Sequence, residues 1–329
     1  MGSDGWMPAH HNFVLTAGWS VSANWCGEVS TCSRTVYDCA PGQQGQGPNK
    51  QKGNYMSQQS DVKTIHEFLD DNPNVDVSKQ WERCWNIHSK ITERILDYFG
   101  DAKLHPISEG ADYYTSPDKQ MEGAFFGYTG GGTDWFVRSW IGNRKASIID
   151  MNINVTLGQE TNVPNLMIIF GTVPNLLFYA DYVSRTDLKV DEAYIQNYYE
   201  GDANKDYLEF RANTDYVWSA SHGPAIRAMQ SPVYSSYITE LTDEHIDQCE
   251  AYLEKFVDRW FRWLDEAEES PMDERDAQQQ YDFTYREYTN RSDPMNVLVE
   301  RVFGKEQAQF MLDRRGGLVQ MDADRGKWK

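Results

Sequence analysis

The chain has 329 residues, 40% of them hydrophobic, enough for one large domain or two modest ones. Fifty acidic side chains against 31 basic ones give a formal net charge of −19, which repels phosphate backbones and anionic lipid and so sets aside nucleic acid and membrane surfaces as partners. Eleven Trp, 19 Tyr and 14 Phe suit a pocket for a flat conjugated ligand as well as ordinary packing.

Residues 1–60 stand apart in composition as an N-terminal, loop-rich extension, with a Gly-, Gln- and Asn-rich run from Ala40 to Gly53. Within it, Cys26, Cys32 and Cys39 lie six and seven residues apart and match no zinc pattern. His10 and His11 leave an N-terminal metal site as the lesser alternative to reduced thiols. From Lys79 to Phe99, Trp81, Cys84, Trp85, His88, Ile91 and Ile95 recur at helical spacing, and Gly100 ends the run. The middle is β-rich, with strands expected over Gly123–Tyr128, Asp134–Ile141, Ser147–Leu157, Asn165–Thr172 and Leu176–Tyr182. Their short links imply an antiparallel sheet. Gly130-Gly131-Gly132 is a hairpin connection; with no helix after it, it is no phosphate loop.

A short helix follows over Asp191–Tyr199, then a long one over Thr242–Glu268, capped by Thr242 and with Asp243 and Glu244 in its positive first turn. Its Asp258, Arg259, Arg262 and Asp265 read as a solvated face. Its Trp260-Phe261-x-Trp263-Leu264 stripe serves either the core or an interface. In Arg291-Ser292-Asp293-Pro294-Met295, Pro294 suits a first helical position and Asp293 a plain N-cap. A further helix is expected over Arg301–Leu312, and residues 313–329 read as a loose tail. The fold expected is of the α/β (α+β) class, an α/β/α sandwich with a central antiparallel sheet flanked by helices. The main domain spans residues 61–312. Without a charged-then-apolar leader or an apolar run near the ~20 residues of a span, the chain reads as cytoplasmic.

Several pieces, in order, resemble the red chlorophyll catabolite reductase family of the ferredoxin-dependent bilin reductase superfamily. The Asp293-Pro294 turn and the Phe303-Gly304-Lys305-Glu306 corner are similar to its C-terminal motif. Arg138-Ser139-Trp140-Ile141 resembles its Gly-Ser-Trp-Ile strand, and Pro164-Asn165-Leu166 its Pro-Asn-Phe strand entry. Asp181, Arg185, Asp187, Leu188, Tyr194, Tyr198 and Tyr199 fall on its Asp-x3-Arg-x-Asp-Leu-x5-Tyr-x3-Tyr-Tyr pattern. Ile226-Arg227-Ala228 with Ser231-Pro232 resembles a further segment. The resemblance covers about residues 81–312 and implies a homodimer, a tetrapyrrole pocket, no metal or flavin, and ferredoxin as electron source. One departure stands out: where the family's reductases carry a Glu thought to protonate the tetrapyrrole, this chain has Ile169.

A general acid or base must reach the substrate with a pKa near working pH. Asp293 matches the family's second functional acid, and His222 sits on a loop that faces the pocket in this superfamily or is simply bonded to backbone. Asp150, polar within the apolar run around Ile149 and Met151, either lines the cavity or faces water. Asp293, His222 and Asp150 are therefore the candidate catalytic residues. Arg138, Trp140, Ile169, Arg185 and Arg227 are the candidate substrate-binding residues, and Arg144 is a further cation. The arginines suit bidentate recognition of carboxylates or phenolates, or else structural ion pairs. His88 reads as core or interface. No Gly-x-Ser-x-Gly elbow indicates a hydrolase.

The leading functional reading is a lyase that needs no cofactor, using acid–base chemistry on a planar phenolic aromatic dimer, with formaldehyde as the released product. The alternative is a ferredoxin-dependent reductase of a linear tetrapyrrole, which requires a basic docking patch and a carboxyl group near the missing Glu, from Asp150 or Glu160. A binder that kept the fold without the chemistry is the third reading.

Overall fold

The computed structural model describes residues 77–143, 148–172, 175–221 and 223–318. The expectations for the N-terminal extension and its cysteines, for Arg144 and for His222 lie outside these residues.

The expected sandwich is present. Helix α1 (Ser78–Tyr98) opens it and buries Trp81, Cys84, Ile87, Ile91 and Ile95 along one stripe. Five long strands then run up and down: β3 (Glu122–Gly130), β4 (Thr133–Asn143), β5 (Ile148–Leu157), β6 (Asn165–Thr172) and β7 (Leu176–Val183). The short strands β1 (Lys103–Leu104) and β2 (Tyr114–Thr115) pair with β3, and β8 (Val217–Trp218) and β9 (Ser235–Thr239) extend the sheet beyond β7. Every pairing is antiparallel, in the order β1-β3-β4-β5-β6-β7-β9-β8. The glycine run makes the β3–β4 turn. Gly131 (φ +64°) lies so close to the Phe99 carbonyl that a Cβ would sit 2.0 Å from that oxygen, so only glycine fits.

Helices α2 (Glu192–Tyr194, continued by a π-helical turn over Ile195–Tyr199), α3 (Asp202–Ala212), α4 (Pro224–Met229), α5 (Asp243–Glu266), α6 (Arg275–Ser292), α7 (Asn296–Phe303) and α8 (Lys305–Arg315) follow. Thr242 caps α5 as expected, its Oγ1 accepting from the His245 N–H at 3.1 Å. The single helix expected over Arg301–Leu312 is two helices, because Gly304 (φ +82°) turns the chain between them. Pro294 lies two residues before α7 rather than at its first position.

Strand alternation splits the core in two. One face carries Phe136, Trp140, Met151, Ile153, Ile168 and Phe170 under α1 and α5. The other carries Phe125, Trp135 and Val137 against Phe303 of α7 and Met311 of α8. Helices α1 and α5 run parallel, joined by Lys79 and Arg83 to Asp243, Lys90 to Glu250 and Glu254, and Arg94 to Asp258. Each exposed pair contributes little alone, but the ladder fixes one register. Of the α5 residues expected on a solvated face, Asp258 pairs with Arg94, Asp265 accepts from the Tyr98 hydroxyl, and Arg259 is buried against Asp206 and the Tyr182 hydroxyl, while Arg262 is exposed. Trp260 of the α5 aromatic stripe is fully buried in the core, and Phe261, Trp263 and Leu264 pack against it. No helix among the described residues is long and apolar enough to cross a membrane.

Candidate functional site

A cavity of about 30 Å³ opens on the second face of the sheet, between β3–β5 and helices α7 and α8. Register places its floor. Phe125, Ser139, Asn152, Ile169, Tyr179 and Ser236 form one cross-strand row, and Gly123, Ile141, Asp150, Gly171 and Leu177 the neighbouring one. Side chains in a row share a face, so Asp150, Asn152, Ile169 and Tyr179 all point toward the C-terminal helices.

Asp150, left open between cavity and solvent by its sequence context, lines the cavity together with Asn152, Ser139 and Tyr114. Its Oδ2 accepts from the Asn152 amide at 3.0 Å, and the Asn152 Oδ1 accepts from the Arg315 guanidinium at 3.0 Å. Burial pushes the Asp150 carboxyl above the usual carboxylate range; Arg315 and the Asn152 hydrogen bond oppose that shift, and the negative charge of Asp293 adds to it. A carboxyl group so placed holds a proton further up the pH scale than an exposed one. Glu160, the other substitute considered for the missing Glu, is exposed at the surface.

Asp293 ends α6, and its Oδ1 accepts the Met295 N–H at 2.9 Å, forming a turn rather than a helix cap. Beside this turn lies Gly223, where an added Cβ would be 3.3 Å from Pro294. The Asn290 amide donates to the Leu312 carbonyl at 2.8 Å, and the Asn296 amide to the Asn290 carbonyl at 2.7 Å, locking the corner of α6, α7 and α8.

The arginines and Trp140 lie elsewhere. Arg138 alternates onto the α1 face, where it donates to Ser89 Oγ at 2.9 Å and stacks 4.8 Å from the Trp85 ring. Trp140 shares that face and packs edge-on to Trp81 and Trp85. Arg185 is fully buried and holds Asp282 at 2.6 Å, with its other N–H groups on the carbonyls of Leu157, Gly158 and Thr161. Its donors are spent on structure, which corrects the substrate-binding expectation. Arg227 is exposed on α4 and donates to the Ser221 carbonyl at 2.6 Å. His88 is core, with Nε2 3.2 Å from the Asn152 carbonyl oxygen and burial holding its pKa down to about 3.

Arg315 and Asn152 are the polar residues that sequence reasoning missed. Arg315 falls in the stretch read as a loose tail, yet α8 runs through it. Its carbonyl accepts from Trp135 Nε1 at 3.1 Å, and Gly317 (φ +66°) lies flat on the Trp135 ring, where a Cβ would be 2.9 Å away. That contact holds the guanidinium over the cavity. A signal did exist: the Arg314-Arg315-Gly316-Gly317 run reads as a basic last turn followed by glycines that end a helix.

Farther along the same face, Asp181 is fully buried with the Tyr179 hydroxyl donating to its Oδ2 at 2.8 Å and the Ser231 N–H at 3.3 Å. Burial pushes Asp181 up to about 6. An acid favoured in its protonated form by folding contributes full stability below its unfolded value, 3.8, and loses it as pH rises toward the folded value. Asp181→Asn should therefore match wild type near pH 4 and exceed it at pH 8 by on the order of 3 kcal/mol. Urea unfolding at both values tests this, and a gap that does not widen with pH refutes it.

No protein-family model matches the chain, and no curated protein matches it in sequence. Among solved structures, the crystal structure of phytochromobilin synthase from tomato in complex with biliverdin superposes with a TM-score of 0.59 at 13% identity, over 69% of this chain and 80% of that one. At this identity the likeness is one of fold. The described residues contain no cluster of His, Cys, Asp and Glu able to hold a metal ion.

Proposed function

We propose that this chain is an enzyme of the bilin-reductase type, reducing an open-chain tetrapyrrole on the face of the sheet beneath α6, α7 and α8. The observation that carries the reading is Asp150. Ile169 can transfer no proton, but the residue opposite it on β5, Asn152, is bonded to Asp150. Asp150 offers a carboxyl group on the neighbouring strand, lining the cavity. Reducing one double bond takes two electrons and two protons. Asp150 supplies the first proton and Asp293, close enough to act on it electrostatically, relays the second. The electrons come from an external one-electron donor such as ferredoxin. Such a donor is usually acidic, and beside the cavity the chain is not: residues 291–315 carry five bases against four acids in a protein of net charge −19.

A second reading, the lyase, draws on Ile169 and on the acidic net charge, since expelling formaldehyde from a phenolic dimer needs acid and base but no electrons. One assay separates them. Biliverdin is incubated with the protein with and without a reduced ferredoxin system, and phenolic aromatic dimers are incubated in plain buffer. Loss of the biliverdin absorption that depends on both protein and reductant supports the reductase. Formaldehyde released without reductant, with biliverdin untouched, replaces it by the lyase.

A further inference from the structure

The second polar cluster on this face, Tyr179, Asp181 and Gln230, has a directional imbalance. The Gln230 amide stands near enough to the Tyr179 oxygen to favour its charge, and the Tyr179 hydroxyl gives its one proton to Asp181 Oδ2. The Ser231 N–H also goes to Oδ2. Asp181 Oδ1 and Gln230 Oε1 are left as buried acceptors without a hydrogen-bond partner among the described residues, although the Ser231 hydroxyl and the Tyr182 N–H stand near enough to favour the Asp181 charge. Asn154 Oδ1, in the same cross-strand row as Asp181, is a third such acceptor. Three orphans of one sign are unusual, because buried polar atoms are nearly always paired, and together they call for donors from outside the cluster.

Position supports the same conclusion. Asn152, Ile169 and Tyr179 are directly aligned across β5, β6 and β7, so Tyr179 stands about 10 Å from Asn152 at two strand spacings. Ile169 lies between them, half-buried rather than sealed, as is Tyr179. The face thus reads as an apolar floor with a polar group at either end: a carboxyl–amide–guanidinium chain on one side, a carboxyl with spare acceptors on the other.

We propose that Tyr179, Asp181 and Gln230 form a second ligand subsite, one that receives a hydrogen-bond donor of the ligand, an N–H or O–H group, while its conjugated body rests on Ile169. The subsite rests on the reading that an extended conjugated ligand occupies this face. Asp181→Asn keeps the acceptor for Tyr179 and turns an N–H₂ group toward the incoming donor, so donor meets donor. Gln230→Ala removes the second acceptor at a half-buried position.

The test is a binding titration of biliverdin, followed by its absorption, against wild type, Asp181→Asn and Gln230→Ala, with melting temperatures recorded alongside. We expect wild type to bind, Asp181→Asn to bind at least 10-fold more weakly without loss of thermal stability, and Gln230→Ala several-fold more weakly. Variants that bind within twofold of wild type would overturn the subsite and leave the tetrapyrrole reading standing; that result means the acceptors house a structural water. Absence of binding by wild type would overturn the tetrapyrrole reading and this subsite with it. Should Asp181→Asn not fold, Gln230→Ala decides alone.

Discussion

Asp150→Asn is expected to slow turnover by about 10²–10⁴-fold, the usual worth of a positioned general acid, with ligand affinity nearly unchanged. The amide is nearly isosteric with the carboxyl group, and its oxygen can still accept from the Asn152 amide, which bonds Asp150 at 3.0 Å, so geometry is kept while the transferable proton is lost. A pH profile makes the test specific. The acid acts only when protonated, so wild-type activity falls as pH rises through the Asp150 pKa, which burial and Asp293 raise. Asp293→Asn, slowed by loss of the second proton's relay, also loses one cause of that shift, and its falling limb should move to lower pH. Single-turnover rates against pH for the three proteins check both points. A full rate in Asp150→Asn, or a limb that stays in place in Asp293→Asn, would refute the assignment.

Asp282→Ala is expected to destabilise the protein by about 3–5 kcal/mol, the range for removing one partner of a buried ion pair, and to lower the melting temperature by about 10 °C. Asp282 and Arg185 have side chains 2% and 0% exposed, so the guanidinium left behind has neither counter-charge nor water. The pair also organises its surroundings: Arg185 clasps the β5–β6 connection through three carbonyls, while Asp282 on α6 accepts from Asn165 at 2.9 Å at the start of β6. Loss of the pair therefore loosens α6 from the sheet over the very face where the ligand is placed. The double variant Arg185→Met with Asp282→Leu should recover much of the loss, because replacing both charges leaves nothing unpaired. Calorimetric melting of the single and double variants reads this out; equal losses in the two would show that the charges themselves are not the cause.

The elements of this protein were legible in its residues because their signals are local. The helical spacing of Trp81 through Ile95, the strands from Gly123 to Val183, the Thr242 cap and the glycine hairpin all depend on neighbours within a few positions, and the structure places each within a residue or two. The order of motifs along the chain also led to the bilin-reductase-like fold, since spacing between motifs is itself a sequence property. What only the tertiary structure decided is which face each functional side chain shares. Arg138 and Ser139 are adjacent, yet the two-residue period of a strand sends the first to Trp85 under α1 and the second into the cavity. Arg185 and Asp282 are 97 positions apart, and their mutual burial, which uses up the arginine for structure, leaves no trace in either local sequence. Arg315 and Asn152, 163 positions apart, meet over the cavity where the end of α8 packs on Trp135 through the Arg315 carbonyl and Gly317. Long-range pairing of this kind depends on how the sheet and the helices pack, and no local pattern encodes it.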